Sequence, residues 1–307
     1  TIVWLPAVLL LLRRAILGRR PLPWLVAAAL VLALTATAGH PQTLMHVAYV
    51  AAAYFLFLAR RREWPWKTIL RSGLLVALIA AGAAAVALLP AARYVMETQR
   101  AVVDYAFVST GLPLIDYFQA VAPGAWTLWS PQYVGLAGLL FAAMALLAAA
   151  GGAPGRAEIA FWGAVALVAT WISLGDNGVL FELVYRIAPG FSLFRQQERL
   201  AGVVSFALAL LAAQGFALWQ GRTQWQGQAG SDRPFVAWMA ARRAVLLVGG
   251  LLLLAGITLT AMGEQAGEAW LTGWGQQWLL LLPLAAFFLY RRPSRAATGA
   301  VIALLVV

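Results

Sequence analysis

Arg195 and Arg199 stand four residues apart in the stretch GFSLFRQQERLAG. Two guanidiniums one turn apart on a helix offer fixed charge and forked donors, which is what the oxygens of a phosphate or pyrophosphate group need. The spacing predicts a membrane helix that begins close to Phe194, with both arginines at its outer end and Glu198 beside them. A second reading pairs the arginines with Glu182 and Glu198, or leaves them reaching for lipid phosphates without specificity. The hairpin Gly39-His40-Pro41-Gln42 is the next candidate. Gly39 fits the left-handed position that ends a helix, and Pro41 fits the first turn of the next. Gln42, Thr43 and free backbone N–H groups then form a helix N-terminus that attracts anions. His40 is there as an acid/base group or a donor to a sugar or phosphate. A capped turn without a ligand accounts for the same four residues. His46, farther along that helix, is expected to pack against its neighbours.

Two carboxylates are reserve candidates for a general base. On one helix Arg93, Glu97, Arg100 and Asp104 fall at i, i+4, i+7 and i+11, a single face of alternating sign. That face lines a polar cavity, with Glu97 or Asp104 as the base, or it is a solvated ladder of ion pairs. Asp116 lies in a short helix expected near 113–120, where an acid in the first turn is ordinary helix-start chemistry.

The elements that position these groups follow from hydropathy. Ten apolar segments lie near 1–12, 22–38, 44–59, 74–90, 134–150, 159–174, 200–219, 244–262, 277–290 and 296–307. The chain is 63% hydrophobic and 11% charged, against roughly 25% charged in ordinary globular domains. Connections after the odd-numbered segments hold 17 of the 22 Lys and Arg and three of the 11 acids. The connections between them hold five Arg and eight acids. Charge sorted in this way marks a polytopic membrane protein with its basic loops in the cytoplasm. The fold class expected is therefore all-α: an integral membrane helical bundle of about ten spans, forming a single transmembrane domain over 1–307. Two long extracytoplasmic loops, 91–133 and 175–199, carry the candidate residues.

The same pattern excludes other classes. The net charge of +11 is an orientation signal, so no nucleic-acid partner is expected. Without cysteine there is no disulfide or thiolate chemistry, and two histidines make a His-cluster metal site an unfavoured reading. Inside the cytoplasm, an interfacial helix over 234–243 competes with a plain linker. Both ends look cut, since the chain starts at Thr1 and stops within an apolar run; an internal piece of a longer protein is expected.

Four stretches carry a resemblance. TATAGHPQTLMHVAYVAAAYFLF resembles the GHPQ hairpin of YfhO-type bacterial membrane proteins, and ALLPAARYVMETQR the helix-to-loop passage that follows it. QYVGLAGLLFAAMALL is similar to their Y-V-G helix, and IAPGFSLFRQQERLAGVVSFALALLAAQGFAL to their P-G-F…F-R-x-x-x-R segment. Together they cover about residues 20–220 in family order. Gln196 and Gln197 depart from the small residue or proline common there.

The resemblance implies the GT-C glycosyltransferase superfamily, in the bacterial cytoplasmic membrane. Such proteins move a sugar from a polyprenyl-phosphate donor to a cell-envelope acceptor on the extracytoplasmic face. His40, Gln42, Arg195 and Arg199 match family motif positions, with the arginines facing the leaving phosphate. The essential carboxylate is implied to lie nearer the N-terminus than this chain begins, and no cofactor is implied beyond an optional divalent metal. Two readings from other classes stand beside it: a flippase or transporter for lipid-linked sugars, and a non-catalytic membrane subunit. A transporter needs polar groups within its spans, and apart from Thr35, Thr37, Ser205, Gln214 and Thr258 the spans have few.

Overall fold

A computed structural model describes residues 2–98, 104–120, 132–153 and 155–220, with scattered residues between 250 and 279. All regular structure among them is helical, in keeping with the all-α expectation. Nine α-helices occur among the described residues: α1 Leu5–Leu17, α2 Pro21–Thr37, α3 Pro41–Arg61, α4 Trp66–Met96, α5 Tyr105–Val108, α6 Leu136–Ala150, α7 Arg156–Ser173, α8 Leu180–Ile187 and α9 Ala201–Trp219. Seven of the ten apolar segments correspond to α1–α4, α6, α7 and α9. The other three, and the stretch 234–243, lie wholly or largely outside the described residues.

Among the described residues three helical stretches are long and apolar enough to cross a membrane: Pro41–Arg61, Trp66–Met96 and Gln197–Trp219. On α4 the side chains of Leu70, Leu74, Leu78, Val86 and Leu89 form a stripe that is 59–79% exposed. An apolar stripe of that length marks a surface made for lipid or a partner. Expected to end at Pro90, the fourth segment instead runs through it to Met96. Pro90 removes one hydrogen bond, but in apolar surroundings the helix satisfies every other backbone group internally, which an early exit would not.

The chain divides into two compact units, one formed by Thr1–Leu112 with Thr170–Val203 and the other by Pro113–Ala169 with Val204–Val307. In the first, α1 packs on α2 and α3, and α2 packs on α4. Buried positions on α1 recur at Leu5, Val8, Leu9, Leu12, Ala15 and Ile16, a helical period. Ala33 and Ala36 of α2 meet Ala84 of α4, with Leu44 and Leu88 against them. Small residues at such a crossing let two backbones approach closely. In the second unit Gly215 of α9 lies so near α6 that a β-carbon would fall 1.9 Å from the Phe141 carbonyl oxygen. Trp162 of α7 meets the Phe206 ring edge-on.

Within the first unit, three connections are tied by backbone hydrogen bonds. Leu112 N donates to Ser173 O at 2.9 Å, Asp176 N to Ser109 O at 2.7 Å, and Gln197 N to Thr110 O at 2.9 Å. The 109–112 and 173–176 strands of chain are pressed together: a β-carbon on Gly175 would meet Ser109 O at 2.0 Å, and one on Gly111 would meet Leu174 C at 2.3 Å. Asn177 Nδ2 closes the tie by donating to Leu112 O at 3.2 Å. This clasp fixes where residues 194–199 fall.

Candidate functional site

The α3 N-terminus is built as its sequence predicts. Gly39 has φ +80°, His40 caps the helix and Pro41 opens it. His40 Nδ1 lies 2.8 Å from Thr43 Oγ1 and 3.3 Å from Thr43 N. Its other ring nitrogen, Nε2, contacts Nη1 of Arg199. Nδ1 accepts from the Thr43 backbone N–H as the cap, and the guanidinium offers Nε2 only donors, so nothing at the ring favours a second proton. Burial, and after it the Arg199 charge, hold His40 below its ordinary pKa of 6.5; both disfavour the imidazolium.

The arginines depart from the expected arrangement. No helix begins at Phe194: Phe194 is extended, Gln196 takes the left-handed conformation at φ +64°, and a 3-10 turn spans Gln197–Leu200 before α9. The expected helical pair one turn apart is therefore not formed. The clasp is the cause. Gln196 N donates to Thr110 Oγ1 at 3.2 Å, drawing this backbone out of the helical path. A left-handed non-glycine residue costs on the order of 1 kcal/mol or more, and Gln42 helps hold it by donating from Nε2 to Arg195 O at 2.9 Å and Gln196 O at 3.2 Å. Gln42, 4% exposed, thus positions the loop rather than presenting its amide to solvent.

Arg199 lies against His40 and also donates to Gln196 Oε1. Arg195 stacks its guanidinium over the Phe107 ring at 5.3 Å. Both arginines are exposed, and among the described residues neither forms an ion pair. The reading that paired Glu182 with them is corrected: Glu182 pairs with Arg186 of its own helix. The result is an exposed cationic surface set beside a helix N-terminus and a neutral imidazole, an arrangement suited to an anion.

The carboxylates are used locally. The predicted four-residue face does not form on one helix, because α4 stops at Met96 and Asp104 belongs to the next element. Arg93 Nε and Glu97 Oε1 form an exposed ion pair at 3.2 Å, whereas Asp104 caps α5, accepting from Phe107 N at 2.9 Å. Arg100 lies outside the described residues. Asp116 opens the 3-10 helix Leu114–Ala120. Among the described residues no three His, Asp or Glu side chains gather as a metal site.

Two residues of the site were not singled out by sequence. Thr110 holds the 196–197 backbone, and Gln197, fully buried, donates through Nε2 to Val108 O at 3.0 Å and Phe194 O at 2.7 Å. The adjacent glutamines Gln196-Gln197 are the signal in the sequence for this. His46 packs as expected, 1% exposed and 6.1 Å from the Phe191 ring centroid. Both its ring nitrogens lack a hydrogen-bond partner among the described residues. Set against known proteins, the chain matches no family model, no curated protein and no solved structure.

Proposed function

We propose that this chain belongs to a multi-span glycosyltransferase of the bacterial cytoplasmic membrane, of YfhO and GT-C type, that binds the phosphate of a polyprenyl-linked sugar. The proposal includes the ten-span bundle and a site open to the extracytoplasmic face. The observation that carries it is the meeting of Arg199 and His40, distant in sequence, at the end of a helix long and apolar enough to span a membrane. In the reaction the bond from sugar C1 to the phosphate oxygen breaks as a bond from C1 to the acceptor oxygen forms. Arg199 and Arg195 neutralise the departing lipid phosphate, whose charge rises as that bond breaks. The acceptor's proton passes to a carboxylate; Glu97, exposed beside Arg93, is freer for that role than the capping Asp104.

The test is mass-spectrometric profiling of envelope glycans and polyprenyl-linked sugars in a strain lacking the gene. Loss of one sugar, with its lipid-linked form accumulating, is expected. Wild type restores the profile and the Arg195→Ala/Arg199→Ala double variant does not. An unchanged profile, or full rescue by the double variant, overturns the reading in favour of a transporter or a non-catalytic subunit.

A further inference from the structure

We infer that α8 is an interfacial helix whose exposed apolar face lies in the headgroup–acyl boundary of the bilayer. Val179, Leu183 and Ile187 recur every four residues, so they share about 80° of one helix face. They are 80%, 53% and 69% exposed. The opposite side is anchored: Phe181 is fully buried, and the Tyr105 ring lies against Phe181 at 6.0 Å and Tyr185 at 5.0 Å. Along one edge of the exposed stripe, Glu182 and Arg186 form an ion pair. The helix therefore has a protein side, an apolar side and a charged edge, the make-up of a helix lying in a membrane surface.

Its depth is what selects lipid as the occupant. The segment just after α8 is fastened to α3, a helix suited to crossing the membrane. Tyr49 OH donates to Pro189 O at 2.9 Å, a β-carbon on Gly190 would touch Met45 Sδ at 2.8 Å, and the Phe191 ring packs on Tyr49 at 5.4 Å. Met45 and Tyr49 lie about 6–12 Å along α3 from Pro41, at 1.5 Å per residue. Ile187 precedes Pro189 by two residues, so the last turn of α8 is held close to the first turns of a span. That is the depth at which interfacial helices bury their apolar faces. Leu193, 63% exposed on the same connection, extends the apolar surface. The inference rests on the membrane location and is independent of the phosphate site.

The chain has no cysteine, so single labels report cleanly. Val179→Cys, Leu183→Cys, Ile187→Cys and Glu182→Cys carry an environment-sensitive fluorophore, with the chain in phosphatidylcholine–phosphatidylglycerol vesicles. Leu78→Cys on α4 reports insertion itself. With Leu78→Cys quenched by lipids brominated in the acyl chain, the expected result is several-fold stronger lipid quenching at the three apolar sites than at Glu182→Cys. Aqueous iodide should give the reverse order. Iodide access at the three sites equal to that at Glu182→Cys overturns the inference. Shielding from both quenchers also overturns it, since a protein surface then covers the face.

Discussion

Arg199 and Arg195 are alike in sequence and unlike in place. Arg199 rests against the His40 ring, so an incoming phosphate would meet a guanidinium held in position. Arg195 lies over an aromatic face, a contact worth roughly 0.5–1 kcal/mol at an exposed site and easily exchanged for a phosphate. His40 supplies the residue-scale prediction. Burial and Arg199 lower its pKa from 6.5, so between the folded value and 6.5 the unfolded chain binds more protons than the folded one. Stability from the neutral ring is then fully present above pH 6.5 and falls as pH drops toward the folded value. The thermal midpoint of the wild type should therefore converge on that of His40→Gln as pH is lowered through this window. A gap that stays constant from pH 7.5 to 5 would mean that the ring is not held neutral.

At the scale of elements, most helices were legible and the joints between them were not. Hydrophobic runs and end signals such as Gly39-His40-Pro41 anticipated α3 closely, because its start depends on neighbours in sequence. The fourth segment is bounded at Pro90 in the sequence because the apolar run ends there, whereas the 194–200 segment misled because its conformation is set by a residue 86 positions away. No local pattern announces that Thr110 will hold Gln196. The clasp yields its own prediction. Gly175 has φ +58° and no room for a β-carbon beside Ser109 O, so Gly175→Ala must part the two chain segments. It should destabilise the fold by about 1–3 kcal/mol, the range for a residue forced into a sparsely populated conformation. It should also weaken the His40–Arg199 contact, because Thr110 moves with Ser109. Gly39→Ala shares a positive φ but meets no atom within 4 Å, and should cost less. Thermal denaturation of the two variants side by side checks the order; equal losses would place the whole effect in backbone strain and none in the close approach.

For the whole molecule the decisive question is which side of the membrane the His40–Arg199 pair occupies. Arg60, Arg61 and Arg62 close α3, and Lys67 and Arg71 open α4, so one hairpin carries five of the basic groups that the positive-inside rule retains in the cytoplasm. Arg60 and Arg61 pack over the Trp66 and Phe57 rings at 4.7 and 5.8 Å, the amphipathic partnership favoured at a membrane surface. In the proposed orientation the opposite end of α3 carries His40 to the outer face. The 31 residues of α4 extend about 46 Å, more than a ~30 Å hydrocarbon core needs, so the proposed orientation also takes its far end clear of the bilayer on that side. In intact cells a membrane-impermeant maleimide should label Asp176→Cys without permeabilisation, and Arg62→Cys after it. Labelling in the reverse order would put the anion surface in the cytoplasm. A polyprenyl-linked sugar presented on the extracytoplasmic leaflet could not then reach Arg199, and the transferase reading would fail even if Arg199 bound phosphate.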